Sequence, residues 1–249
     1  MLNIVIPMAG AGSRFAKAGF TDPKPLIPVH GIPMIRLVIS NIRPSCEHRF
    51  IFIVQNAHLA RYALDEKLPS WAPDCLIVGI DGLTEGAACT VLQAREFIDT
   101  DTPLMIANSD QFVDTSIDHY LEHGRQKDGL VMTMTANDSK WSFIEQGANG
   151  HIGRIVEKEV ISNEATVGIY NFARGSDFVR AAEAMVTAGE RVNGEFYVAP
   201  VYNSLIRQGM RIAWHSIGSV GNGMHGLGTP DDLAAFLQLP LSRKAVERA

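Results

Sequence analysis

The sequence predicts an α/β fold, a single-domain three-layer sandwich with a mostly parallel central sheet and helices on both faces. Three observations predict it. Short apolar runs alternate with longer segments of helical period from the first residues onward. The early runs are apolar at consecutive positions rather than alternate ones, as in strands covered on both faces. No linker rich in Pro, Gly or Ser and no internal repeat divides the 249 residues.

In chain order, Leu2 to Pro7 reads as a strand, Ile35 to Ile42 as a helix, Phe50 to Val54 as a strand and Ala57 to Leu68 as a helix. Leu76 to Ile80 (strand), Ala87 to Ile98 (helix) and Leu104 to Ala107 (strand) follow. The helix after Gly86 has the clearest period, with Ala87, Val91, Ala94 and Ile98 on one face and Gln93 and Glu96 largely opposite. Beyond Asp110 the order is less regular: a helical segment Ser116 to Gln126, a strand Leu130 to Thr135, and strand-like pieces at His151 to Val156 and Ala165 to Phe172. Helical stretches at Ser176 to Thr187 and Tyr197 to Gln208 precede a strand Arg211 to His215 and a helix Pro230 to Leu237. Ser242 to Ala249 reads as a polar tail.

Lys and Arg number 22 against 27 Asp and Glu, a net charge of −5, with 46% hydrophobic and 20% charged residues. This is the composition of a globular chain able to bury a sizeable core, which rules out collagen-like and disordered readings. The acidic balance argues against nucleic acid or an anionic membrane surface as partner, while leaving room for a local basic pocket for a small anion. No apolar run reaches the roughly 18 residues of a spanning helix. The N-terminal stretch has no basic segment before its apolar residues and breaks into Gly and Arg, so a cytoplasmic protein is expected. Three cysteines, Cys46, Cys75 and Cys89, include no close pair, and are expected to be reduced and mostly buried.

Directly after the first strand stands Pro7-Met8-Ala9-Gly10-Ala11-Gly12-Ser13-Arg14-Phe15. Successive small residues let backbone N–H groups converge on an anion, and Arg14 adds a fork of charged donors. The loop is a phosphate-binding candidate, with a tight strand-to-helix turn as the alternative. It lacks the third glycine of a dinucleotide fingerprint and the Gly-Lys-Ser/Thr ending of a P-loop. In Asp22-Pro23-Lys24-Pro25-Leu26-Ile27-Pro28 the flanking prolines exclude a helix and hold the chain extended, so Lys24 is presented from a stiff segment.

With these residues in view, the chain resembles the sugar-phosphate nucleotidyltransferases, which activate a sugar phosphate with a nucleoside triphosphate. The resemblance rests on Ala9-Gly10-Ala11-Gly12-Ser13-Arg14 and Lys24-Pro25-Leu26, and continues through Gly86, Asn108-Ser109-Asp110, Glu157-Lys158, Gly168-Ile169-Tyr170, Gly194-Glu195 and Gly228-Thr229-Pro230-Asp231-Asp232-Leu233. It implies a Rossmann-like sandwich of the nucleotide-diphospho-sugar transferase type. Residues 1–112 would form the nucleotide-binding half and 113–249 the acceptor half, with room for a homo-oligomer.

The same resemblance implies the site. Ala9, Gly10, Ala11, Gly12 and Ser13 would wrap the nucleotide, with Ser109 beside them and Gly86 near the base. Arg14 and Lys24 would bind the triphosphate, and Lys158 the acceptor's phosphate, each with a catalytic role. Glu157, Gly168, Tyr170 and Glu195 would face the acceptor. Asp110, at the carboxyl end of an apolar strand, suits Mg2+, which favours oxygen ligands; an Asn-Ser-Asp turn capping a helix is the alternative. The chain departs from the pattern in two places: Glu159 replaces the usual proline after Lys158, and Gly226 replaces an aspartate three residues before Thr229. His225, next to Gly226, is then a candidate contact for metal or substrate, although imidazole suits Mg2+ poorly. Asp231 and Asp232 are expected to cap a helix instead.

The reaction so implied is attack of an acceptor phosphate oxygen on the α-phosphorus of the triphosphate, with pyrophosphate leaving, to make a nucleotide sugar for glycan synthesis. A phosphate is largely ionised near neutral pH and needs no side chain to deprotonate it. Accordingly the chain is expected to hold no Ser-centred elbow, no Cys-His signature and no His-x-x-x-His metal pair. Two rivals remain at this point. A glycosyltransferase with a similar sheet would need an Asp-x-Asp where this chain has Asn108-Ser109-Asp110, and a non-catalytic nucleotide-binding module would explain Gly226. The region Asp138 to Phe143 is either an acceptor loop with an aromatic platform or a solvent-facing turn.

Overall fold

In the computed structural model, which describes residues 1–249, the first half runs β1 (Leu2–Pro7), α1 (Ser13–Lys17), a hairpin of β2 (Pro28–Val29) and β3 (Ile32–Pro33), α2 (Met34–Ile42), β4 (His48–Gln55), α3 (Asn56–Tyr62), α4 (Leu64–Trp71), β5 (Leu76–Ile80), α5 (Ala87–Leu92), α6 (Arg95–Ile98), β6 (Leu104–Ala107) and β7 (Gln111–Val113). The second half runs α7 (Ile117–His123), β8 (Gly129–Thr135), β9 (Ser142–Gln146), β10 (Ile152–Glu157), β11 (Glu164–Phe172), α8 (Gly175–Thr187), α9 (Tyr202–Arg207), β12 (Ile212–Val220), β13 (Gly223–Gly226), α10 (Pro230–Leu237) and α11 (Pro240–Glu247).

The main sheet has the order β5-β4-β1-β6-β11-β8-β12-β13-β7. The β5-β4-β1-β6 block is parallel throughout. β11 then lies antiparallel between β6 and β8, β12 returns parallel to β8, and β9 and β10 form an antiparallel annex joined to β11. The carboxyl ends of β1 and β6 therefore open on one edge, where loops from both halves meet, as ligand sites in open α/β sheets do.

Consecutive apolar residues in the strands serve two cores. In β1, Val5 joins the layer under α5, α8 and α9, while Ile4 and Ile6 join the layer under α2, α4 and α7. β4 divides alike, Ile51 and Ile53 to one side and Phe50, Phe52 and Val54 to the other. This is period-2 geometry with both faces covered, as the sequence predicts. A third cluster, including Phe15, Val29, Leu37, Phe112, Leu227 and Phe236, ties α1, α2, α10 and α11 together.

Four expected helices are shorter or broken, the segment Ser116 to Gln126 being reduced to α7 with Gly124 at its end. Residues 57–68 split into α3 and α4 because Ala63 adopts a left-handed conformation, φ 51° and ψ 50°. Residues 87–98 split at Gln93 and Ala94. Pro200 holds 197–208 to a 3-10 turn, Ala199–Val201, before α9. The polar tail is not loose. It forms α11, whose Ala245 is buried and whose Ser242 hydroxyl donates to Leu239 O at 2.7 Å and meets His30 Nε2 at 2.7 Å. Its C-terminal end docks on α2, where Arg36 and Ser40 donate to the carbonyls of Ala249 and Arg248. The three cysteines are free as expected, but none is buried: Cys46 is exposed, and Cys75 and Cys89 are only half-buried. No helix is long and apolar enough to cross a membrane.

Candidate active site

The Gly-rich loop is suspended from the sheet by its backbone. Met8 N donates to Ile53 O at 2.9 Å, and the Gln55 amide donates to Ala9 O at 2.6 Å. Gly12 closes the loop at φ 59°, a conformation that favours glycine, and caps α1. Phe15, 1% exposed, anchors α1 in the third core cluster, which leaves its neighbour Arg14 exposed. A Cβ on Gly10 would meet nothing within 4 Å, so open space stands over the loop. Lys24 differs from expectation in one respect. It begins a single 3-10 turn, Lys24–Leu26, rather than lying in extended chain; Pro23 is extended, and Pro25 accommodates the turn start.

Three cavities adjoin at the carboxyl edge of β1 and β6. One of about 340 Å3 is bounded by Ala9, Gly10, Ala11, Thr84, Gly86 and Ser109. The second, about 540 Å3, is bounded by Arg14, Trp141, Glu157, Lys158, Gly168, Tyr170 and Tyr197. Lys24, Asn108 and Glu195 border both. The third, about 200 Å3, lies between Arg14, Asp110, Gly226, Gly228 and Asp232. Thus the residues expected around the nucleotide and around the acceptor fall on two joined chambers. Gly12 and Ser13 lie outside the lining of all three.

Charge is unevenly placed there. Lys24 Nζ donates to Asp110 Oδ2 at 2.8 Å, with the two side chains 25% and 22% exposed. Asp110 fits because Gly228 has no side chain, since a Cβ there would stand 2.4 Å from Asp110 Oδ2. Lys158 carries φ 57°, a strained conformation for a side-chain-bearing residue. Its ammonium donates to the Tyr197 hydroxyl and lies 4.6 Å from that ring's centroid. Burial, with a hydrogen bond to Glu195 and that carboxylate's charge, pushes the Tyr197 phenol well up. Glu157 is buried and accepts from Ser142 Oγ. Burial raises its pKa, while Ser142 and Lys158 act in the opposite direction. Tyr170, also raised by burial, pairs with Thr166 Oγ1 at 3.0 Å.

Two expected roles meet different surroundings. Gly86 does permit a close approach, but by the chain's own backbone: a Cβ would lie 2.5 Å from Phe196 N and O. Alternation along β13 turns His225 away from Asp110. Its ring is buried between Phe112 and Phe236, centroids 6.2 and 5.4 Å away, and burial lowers its pKa. Asp232 borders the third cavity instead. Its Oδ2 accepts from Thr229 Oγ1 at 2.7 Å, and its backbone N–H donates to the same hydroxyl at 3.1 Å, so Thr229 caps α10 where Asp231 and Asp232 were expected to, and the two aspartates occupy the first turn. A Cβ on Gly226 would lie 3.5 Å from that carboxylate.

Other lining residues lie outside the expected set. Asn108 borders all three cavities and sits against Gly168. Trp141, at the start of β9, borders two cavities, with Lys140 Nζ 5.1 Å from its ring centroid. Asn108 was in view as part of Asn-Ser-Asp, Trp141 as a candidate platform and Asp232 as part of the closing motif but with a capping role only, whereas Tyr197, two residues beyond Glu195, carries no sequence signal of its own.

Comparison with known proteins follows the same lines. Residues 4–198 match the family model described as nucleotidyl transferase. The crystal structure of the nucleoside-diphosphate-sugar pyrophosphorylase from Vibrio cholerae RC9 superposes with a TM-score of 0.81 at 29% identity, over 95% of this chain and 100% of that one. The low-salt glycan biosynthesis nucleotidyltransferase Agl11 of Haloferax volcanii is 22% identical over 98% of this chain and 67% of its own. The bifunctional protein GlmU of Methanococcus maripaludis is 26% identical over 68% of this chain, and the match spans only 39% of that protein. With most of its length matched by the family model and the fold shared, the chain belongs to the nucleotidyl transferase family.

Proposed function

We propose that the protein transfers a nucleoside monophosphate group from a nucleoside triphosphate to a phosphorylated acceptor, a sugar 1-phosphate, releasing pyrophosphate and forming a nucleotide sugar. The observation that carries this reading is the junction of the two main chambers at Lys24, Asn108 and Glu195. A phosphate entering from the Lys158 side and a triphosphate lying along Ala9 to Ala11 would meet there. Residues 1–112 would supply most of the nucleotide chamber and 113–249 most of the acceptor chamber. Glu195 and the backbone of Phe196 would close the nucleotide side from the second half.

In this reading the protein works by positioning and by neutralising charge, which suffices for transfer between phosphates. Arg14 would bind the triphosphate, and Lys24, now held by Asp110, would sit beside the phosphates in transfer. Lys158 would bind the acceptor's phosphate, steered by Tyr197. Glu157 and Tyr170 would form the polar floor under the acceptor, and Trp141 its wall.

A divalent cation fits this site. The carboxylates of Asp110 and Asp232 border one cavity, and an oxygen donor set suits Mg2+. These two residues, not His225, would hold it, and a bound Mg2+ would offset phosphate negative charge. Asp232 would thus supply from α10 the carboxylate that Gly226 lacks. Formation of a nucleotide sugar for glycan synthesis in the cytoplasm is the setting we favour.

The test is to incubate the protein with Mg2+, each of five nucleoside triphosphates and a set of sugar 1-phosphates, measuring pyrophosphate. Release with one or a few pairs is expected. Transfer from a ready-made nucleotide sugar, with no pyrophosphate from any triphosphate, would favour the glycosyltransferase reading.

A further inference from the structure

Contrary to the expectation of no His-x-x-x-His pair, the chain holds one, His119-Tyr120-Leu121-Glu122-His123, outside the candidate active site. His119 and His123 stand one helical turn apart on α7, which places both rings on one face. That face lies over β12, where His215 meets them. Ring centroids are 4.7 Å apart for His119 and His123, 4.0 Å for His123 and His215, and 5.6 Å for His119 and His215. One ligand-capable nitrogen from each ring lies within 4.8 Å of the others. None of the three borders the cavities of the candidate active site.

The tautomer is constrained where it matters. His123 Nδ1 lies 2.9 Å from the carbonyl oxygen of His119, so Nδ1–H donates there and the Nε2 lone pair stays free. His119 and His123 are exposed and His215 is half-buried, so the group is reachable from solvent. Three imidazoles gathered from two separate elements form a nitrogen donor set, which suits Zn2+ and neighbouring transition metals rather than Mg2+.

We propose that His119, His123 and His215 bind a transition-metal dication of the Zn2+ class at a site separate from the nucleotide pocket, with an outer position left for water. Such a metal joins α7 to β12 and so fastens a surface helix to the central sheet. Its contribution appears as ligand-linked stability, because the metal binds the assembled trio and not the separated residues of the unfolded chain.

The experiment titrates metal-stripped full-length protein with Zn2+ by calorimetry and follows thermal unfolding, with Co2+ absorption reporting coordination geometry. One equivalent is expected, with a raised unfolding midpoint and the visible bands of tetrahedral Co2+. His123→Gln, an exposed change that leaves the core intact, weakens binding by about tenfold or more and removes the midpoint shift. Asp110→Asn, which alters the oxygen-lined pocket, retains both. Absence of stoichiometric Zn2+ binding in the parent overturns the proposal, as does binding that His123→Gln and His119→Ala leave unchanged. So does loss of binding in Asp110→Asn with retention in the histidine variants, which would move the metal to the active-site pocket.

Discussion

Arg14 is exposed and borders two of the three joined cavities, so its removal leaves the core untouched. Arg14→Ala is expected to lower pyrophosphate release by about a hundredfold or more while leaving the unfolding midpoint within error of the parent. Glu157 gives a pH signature of its own. Its pKa is raised in the folded state, so the folded protein holds a proton that the unfolded chain gives up at lower pH. The associated stability is complete below the ordinary glutamate range and is lost as pH rises through the elevated value. Denaturant titrations of Glu157→Gln across that range should show the variant gaining on the parent as pH rises; a constant difference would mean that Glu157 is not so shifted. Arg14, Lys24 and Asp110 were legible in the sequence because each sits in a short local motif. Asp232 and the turned-away His225 were not, because what a side chain faces on β13 or α10 depends on strand register and helix entry.

At the level of elements, α5 begins where Gly86 lets the Phe196 backbone pass at a distance no side chain allows. Gly86→Ala must displace that backbone at φ 123°, at a cost of about 1–3 kcal/mol, and should impair activity along with stability. Ala63 offers the reverse case. It holds a left-handed conformation between α3 and α4, unfavourable for a residue with a Cβ. Ala63→Gly relieves that strain but loosens the unfolded chain, so a net gain of up to about 1 kcal/mol is expected by chemical denaturation. Periodicity alone ran through both helix breaks, since apolar spacing carries across a single left-handed residue or one loosened turn. The C-terminal α11 was missed for another reason. Its apolar positions, Leu241, Ala245 and Val246, are few, and they gain meaning only from the cluster beneath α2 and α10.

For the whole molecule, a net charge of −5 coexists with a site where Arg14, Lys24 and Lys158 border joined cavities. Capture of a triphosphate by such a site should weaken as salt rises, because partly exposed charges are screened over about 8–10 Å at physiological ionic strength. The parallel half of the sheet was legible from its doubly buried strands. The mixed half was not, because β7, β9 and β13 are three to five residues long and are fixed by distant partners rather than by their own pattern. The central claim is that the acceptor's phosphate oxygen attacks the α-phosphorus. It is tested most directly by supplying the acceptor with 18O in its phosphate and analysing both products by mass spectrometry, for whichever substrate pair supports release. The account predicts that all the label stays in the nucleotide sugar and none reaches pyrophosphate; label in the pyrophosphate, or no diphosphate-linked product from any pair with folded protein, would contradict it.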